Sequence, residues 1–456
     1  MGHRSPGRRR GNRVLEDPVL RVLIWLSWPV ILTQFVSVTY AVIDSIWLGR
    51  IGKASFNAPI VSWPLISVFL VTCTSFVSSG IAVLSQLYGS GDLERFEKSV
   101  GSLLFFAVTI IFLVCAPAIV LSHKILYLLG LPVDTEVKAV LYYRIVLFGI
   151  PFATMFTFFS TVANAMGDTR TPTKLSVLSS VTNILLDPIL IFGLFGIPQM
   201  GAMGAAIATV ASETLIGIIG LTMLARGFRG VKLKAEHVRY DSWLFRKLLR
   251  IGTPIVLQRV SNYIGATTMI GIVSRFGSAV IAAYGVSLRI TEIVRAFMYG
   301  VSNATAIMVG QALGANKLER ARETAKVSIT FTFLTLLLIS VIIFCLAPQI
   351  VKVFVNDPAV IREGERALRI FSPSIPFFGL FVVMGGVASG SGHTMPYAIT
   401  GVIRLWLLRI ALALLLALYT SLREDGLWIA ISLSNIIAGI TGLIWIYSWR
   451  WAKSIV

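Results

Sequence analysis

Two carboxylates in this sequence sit where apolar residues surround them. Asp44 lies in Tyr40-Ala-Val-Ile-Asp44-Ser45, and Asp187 lies in Asn183-Ile-Leu-Leu-Asp187-Pro188. Asn183 and Asp187 are four residues apart, so a helix puts them on one face. A carboxylate beside an amide oxygen and shielded from water can do two things. It can bind a hard cation such as Na⁺, or it can carry a proton. Thr209 adds a hydroxyl one turn before Glu213, and Tyr40 stands one turn before Asp44. Each has a plainer reading: Asp44 as an interfacial residue, Asp187 and Glu213 as structural acids, Thr209 as a backbone-bonded hydroxyl. Pro29 and Pro188 remove helical donors, permit bending and are candidate hinges.

The second half of the chain has a different polar set. Arg259, Arg289, Arg295, Arg404 and Arg409 fall in or near apolar runs, with Glu292 three residues from Arg289 and Arg295. The cluster is either an internally paired structural group or a place where an Arg, with Arg409 the candidate, receives an anionic group of a substrate. Tyr142 is a further cavity candidate, and Arg144 is expected near the outer interface. The histidines fall in loops or tails, so a His proton relay is not expected. Cys73, Cys115 and Cys345 lie in apolar runs without metal or disulfide spacing. No P-loop, HExxH, GxSxG or Rossmann fingerprint occurs, which argues against direct ATP drive and against an enzyme.

Such residues need a scaffold that keeps them from bulk water, and the composition says which. Of 456 residues, 56 % are hydrophobic and 13 % charged. Soluble domains carry about 25 % charge, so disorder and a soluble globule are both excluded. Apolar runs predict twelve helices over 19–48, 55–88, 98–122, 135–165, 172–196, 202–225, 247–275, 280–313, 323–346, 357–390, 395–420 and 426–452. Helices satisfy every backbone group within lipid, and the alternation of a barrel is absent. The expected fold is an all-α polytopic membrane protein.

The net charge of +19 reads as topology. Twenty-four of the forty Lys and Arg residues lie on the side of the N-terminus, against ten in the opposite loops. The positive-inside rule places both termini in the cytoplasm of a plasma (inner) membrane. A nucleic-acid role is not expected.

A self-similarity at an offset of 225 residues organises the chain. Pro29 matches Pro254, Arg50 and Gly52 match Arg275 and Gly277, and Gln86 and Gly89 match Gln311 and Gly314. Glu94-Arg95 matches Glu319-Arg320, Pro151 matches Pro376, Gly167 matches Gly392, and Gly201 matches Gly426. A one-residue slip occurs near Pro172 and Pro396. Six spans per repeat give both halves the same orientation, so two six-helix bundles related by a pseudo-twofold are expected. The domains are a basic tail at 1–18, bundles at 19–225 and 247–456, and a cytoplasmic linker at 226–246. Asp44 falls opposite Met269 and Asp187 opposite Ala411, which confines the acids to the first bundle.

These residues resemble the multidrug and toxic compound extrusion (MATE) family, in particular its prokaryotic DNA-damage-inducible-F-like branch. The carriers are Trp28-Pro29 with Asp44, Gln86-Leu-Tyr-Gly89, Asn164-Ala-Met-Gly167-Asp168-Thr-Arg170-Thr-Pro172, Asn183 to Pro188, and Gly201-Ala-Met-Gly204. The resemblance implies two bundles around a cleft and export coupled to inward H⁺ or Na⁺, with no other cofactor. It implies that Asp44, Asn183 and Asp187 form the cation site, with Tyr40, Tyr142 and Thr209 as neighbours. The expected cargo is a small amphipathic organic compound, cationic or zwitterionic, moved by a monomer in the bilayer. The alternatives are a flippase for lipid or lipid-linked saccharide and, at a further remove, a lipid-modifying membrane enzyme.

Overall fold

The computed structural model describes residues 13–49, 53–127 and 133–456. Arg50, Gly52 and the basic stretch up to residue 12 lie outside the described residues. Among those described there is no strand, only an isolated bridge between Phe228 and Val231 in the linker.

Helix α1 spans Val19–Gly49; α2 (Lys53–Ser78) runs on into α3 (Gly80–Ser90), and α4 spans Leu93–Val120. A short α5 (Ser122–Tyr127) precedes α6 (Val133–Ala165), α7 (Arg170–Phe192) and α8 (Ala202–Arg226). The second half holds α9 (Ser242–Val273), α10 (Ser278–Gly314), α11 (Leu318–Cys345) and a short α12 (Ala347–Phe354). Then come α13 (Pro358–Phe371), α14 (Ile375–Ser391), α15 (Met395–Leu405), α16 (Leu412–Tyr419) and α17 (Glu424–Tyr447). Joining α2 to α3, α13 to α14 and α15 to α16 gives the twelve expected crossings. Among the described residues, ten are long and apolar enough to span a bilayer. The remaining two, α9 and α10, carry too many polar residues to meet that criterion, among them Arg259, Arg289 and Arg295.

Two compact units form. The first gathers Pro29–Val256, and the second gathers Val14–Trp28 with Leu257–Val456. Helix α1 is therefore divided at Pro29, and α9 two residues beyond Pro254. In the first unit α6 is the hub, packed against α2, α4 and α8; in the second α14 is the hub, against α10, α11 and α17. Gly386 and Gly390 let α14 approach the α10 carbonyls of Ser302 and Ala306 so closely that a Cβ at either would collide. Small residues at crossings are how membrane helices gain packing contacts where lipid already satisfies their apolar side chains. Trp428 is fully buried in the second unit, near-parallel to Tyr284 with ring centroids 6.3 Å apart, and donates Nε1–H to Glu363 Oε1 at 2.8 Å.

The repeat is written into the backbone as well as the side chains. Gly167 and Gly392 both have φ of 78°, and Gly91 (φ 81°) has Asn316 (φ 56°) at its repeat position. Asn is one of the few residues besides Gly that tolerates this region. The register slip also has a structural counterpart. The second repeat has one residue more than the first between its matched Pro and Gly, and residues Trp406–Ala411 form a π-helical turn. A π turn is how a helix absorbs a single inserted residue.

Charges are spent sparingly, and four of the loop aspartates cap helices. Asp92 accepts from Arg95 N at 3.0 Å, Asp168 from Arg170 N at 3.1 Å and Thr171 N at 3.2 Å, Asp241 from Trp243 N at 2.9 Å, and Asp357 from Ala359 N at 2.7 Å. The linker expected over 226–246 gives up its last residues to α9, whose helix begins at Ser242. The end of the expected tail is held in place: Arg320 donates to the carbonyls of Val14, at 3.1 Å, and Asp17. Cys73 and Cys115 are buried, whereas Cys345 is exposed at the end of α11. Large apolar side chains such as Phe112, Leu113, Val120 and Phe148 are exposed, which suits contact with acyl chains.

Candidate functional site

The first unit builds its polar site from four helices. Asp187 sits on α7 immediately before Pro188, and Asn183 lies one turn earlier; they are 1 % and 3 % exposed. With its amide oriented to satisfy both ends, Asn183 donates Nδ2–H to Asp187 Oδ2 at 3.1 Å and accepts from Thr209 N at 3.2 Å. The amide thus bridges α7 and α8. Asp44 comes from α1, close enough for its charge to act on Asp187. Tyr40 on α1 and Tyr142 on α6 lie within electrostatic range of Asp44, Asp187 and Glu213.

Among the described residues, one oxygen of Asp44 and one of Asp187 are buried without a hydrogen-bond partner. Among the described residues no Lys, Arg or His lies within ion-pair distance of Asp44, Asp187 or Glu213. A buried carboxylate with neither partner is costly, and uptake of a proton or a hard cation removes that cost. No group of three His, Cys, Asp or Glu side chains among the described residues is spaced to hold a metal. A cation here would draw on neighbouring oxygens as well, the Thr209 hydroxyl among them.

The expected residues Tyr40, Asp44, Tyr142, Asn183, Asp187 and Thr209 all belong to this one neighbourhood. Glu213 joins them, which its sequence context left open. The available signal was its spacing: it follows Thr209 by one turn, on the face that meets Asn183. Pro29 lies within the continuous helix α1, where Thr33 Oγ1 donates back to the Pro29 carbonyl at 3.1 Å and contacts Thr173 Oγ1 at 3.1 Å. Arg409 belongs to the other unit. Of the two pairings considered for Glu292, that with Arg295 forms, at 2.8 Å. Arg144 donates to Ser122 at 2.7 Å.

The MatE family profile matches residues 29–189 and again 254–415, so the second match begins 225 residues after the first, at the repeat offset. The chain belongs to the MatE family. Among MatE proteins it is similar to the probable multidrug resistance protein YoeA of Bacillus subtilis, 25 % identical, with 84 % of this chain and 83 % of that protein aligned. It is 23 % identical to a protein named FAD transporter from Shewanella oneidensis over 94 % of each chain. A MOP-superfamily transporter structure from Pyrococcus furiosus, described as having a binding pocket of reverse polarity, superposes with a TM-score of 0.88 over 96 % of this chain and 97 % of that one, at 21 % identity. This MatE chain is a multi-pass membrane protein of a multidrug efflux transporter family, not an enzyme, with twelve helical crossings in two bundles among the described residues.

Proposed function

We propose that the chain is a secondary antiporter that exports amphipathic organic compounds, cationic or zwitterionic, in exchange for H⁺ or Na⁺ entering through the Asp44–Asp187 site. The observation that carries this reading is the group of three carboxyl side chains in one unit, two of them with unpartnered buried oxygens and none with a cationic partner among the described residues. Ionisable residues inside a membrane mark ion and substrate paths by default. Binding of a cation or proton neutralises the group. Because a ligand shifts a conformational equilibrium only by its differential affinity for the two states, the carboxylates supply the coupling. Pro29 in α1 and Pro188 in α7 give the helices of Asp44 and Asp187 a point at which to bend. In this reading the protein works as a monomer in the plasma membrane with both termini cytoplasmic; the excess of Lys and Arg on their side supports that orientation.

Names among the relatives range from multidrug resistance to FAD transport, so the cargo has to be measured. The test is flux in proteoliposomes with pH and Na⁺ gradients imposed separately. One gradient should drive export, and Asp187→Asn should abolish it while leaving the protein folded. Wild-type export by that variant would overturn the assignment.

A further inference from the structure

The second unit holds a polar site of opposite sign on the repeat-related pair of helices. In the first unit the site joins α7 to α8 through Asn183 and Thr209. In the second, α15 with its π turn is joined to α17 through Arg404, Arg409, Ser434 and Asn435. Ser434 stands 225 residues after Thr209, at its repeat position. Arg409 Nε donates to Ser434 Oγ at 3.1 Å and its Nη2 to Asn435 Oδ1 at 2.8 Å; Arg404 Nη1 donates to the same Oδ1 at 3.2 Å. Asn435 is fixed in turn by donating to Ser374 Oγ at 3.1 Å.

None of these partners carries negative charge. Arg404 is 3 % exposed; among the described residues its buried Nε has no hydrogen-bond partner, and no carboxylate lies within ion-pair distance of either guanidinium. Arg404 lies over the rings of Phe378 and Phe381, at 5.0 and 5.2 Å, and Arg295 lies over Phe378 from the other direction in sequence, at 5.7 Å. Ring faces and amide oxygens offset only part of the cost of burying a guanidinium, which an anion would complete. Planar guanidiniums suit a carboxylate or phosphate, and the aromatic surroundings suit an apolar frame attached to it.

We propose that Arg404 and Arg409 bind an oxyanion, a carboxylate or phosphate, borne by an amphipathic molecule. Where the export reading above holds, this deepens it by narrowing the cargo to compounds with such a group. An anionic lipid headgroup has the same chemistry and is the other source.

The test uses a xanthene dye with a free carboxylate and its methyl ester, which differ in that charge and in one methyl group. Binding to the purified protein in phosphatidylcholine nanodiscs is followed by fluorescence anisotropy, with no gradient present. The acid should bind about tenfold more tightly than the ester, the size of one charge-assisted hydrogen bond. Arg409→Gln should erase that preference, weakening the acid much more than the ester, while Arg409→Lys should keep part of it. Arg404→Gln should behave like Arg409→Gln; if it does not fold, the half-buried Arg409 carries the test. Displacement of the acid by added phosphatidylglycerol assigns the site to a lipid headgroup, and no displacement assigns it to cargo. Equal affinities for acid and ester in the wild type, or a preference that survives Arg409→Gln, would overturn the proposal. Asp187→Asn separates the two readings. It should keep the preference, and if it also transports normally, the coupling assignment fails while this site stands.

Discussion

Arg229 reaches from the linker to Asp168 and closes an ion pair on a carboxylate that is 2 % exposed. The same carboxylate caps α7, accepting from Arg170 N, Thr171 N and, at 2.6 Å, Thr171 Oγ1. One side chain therefore fixes both the start of the acid-bearing helix and the path of the linker. Asp168→Ala should lower unfolding stability by about 1–3 kcal/mol, combining a lost cap with a part-buried pair. Arg229→Ala should cost less, because the cap survives and Arg229 is already 20 % exposed. Thermal unfolding in detergent, followed by tryptophan fluorescence, gives the order of the two.

Glu213 shares the neighbourhood of Asp44 and Asp187 yet has no ion-pair partner among the described residues. Glu213→Gln should slow gradient-driven export by at least about tenfold, within the range a lost transition-specific interaction commands. Folding, judged by gel filtration, should be unchanged. Normal export would return Glu213 to a structural role.

Pro29 withholds a helical donor in the middle of α1. Pro29→Ala restores that donor and should raise thermal stability, with a ceiling of about 3 kcal/mol set by the cost of Pro in a helix interior. Export should slow while dye affinity at zero gradient holds. A variant as fast as the wild type would show that α1 need not bend there.

Gly390 and Gly271 make a matched pair. A Cβ at Gly390 collides with the Ala306 backbone, whereas at Gly271 it meets nothing. Gly390→Ala should destabilise by about 1–3 kcal/mol through overpacking. Gly271→Ala should be neutral or stabilising by about 0.5–1 kcal/mol. Chemical denaturation in mixed micelles measures both.

Much of this fold could be read from the chain because two of its signals are long-ranged in sequence and simple in physics. Apolar length marks the spans. The fixed offset between Pro29 and Pro254, or Gly167 and Gly392, marks the two halves. The acids Asp44 and Asp187 were visible for a related reason: a charge in an apolar run has few innocuous explanations. Contacts between runs were not visible. Asn435 reads as one more polar residue in α17 until the structure places Arg404 and Arg409 against it, from positions 31 and 26 residues away. The consecutive pair Ser434-Asn435 inside an apolar helix was the available clue. Arg229 binding Asp168 from the linker had no sequence signal, since a basic linker is what topology alone demands.

The division of α1 at Pro29 bears on how the protein could be taken apart. Residues 14–28 pack with the second unit, where Arg320 holds the Val14 and Asp17 carbonyls. A protease cut in the loop between α8 and α9 would thus not release two self-sufficient halves. The carboxy-terminal fragment would lack its first fifteen-residue segment, and the amino-terminal fragment would carry that segment with nothing to pack it. Expressed alone, each should aggregate or be degraded; produced together as a split pair, they should reassemble around the shared helix.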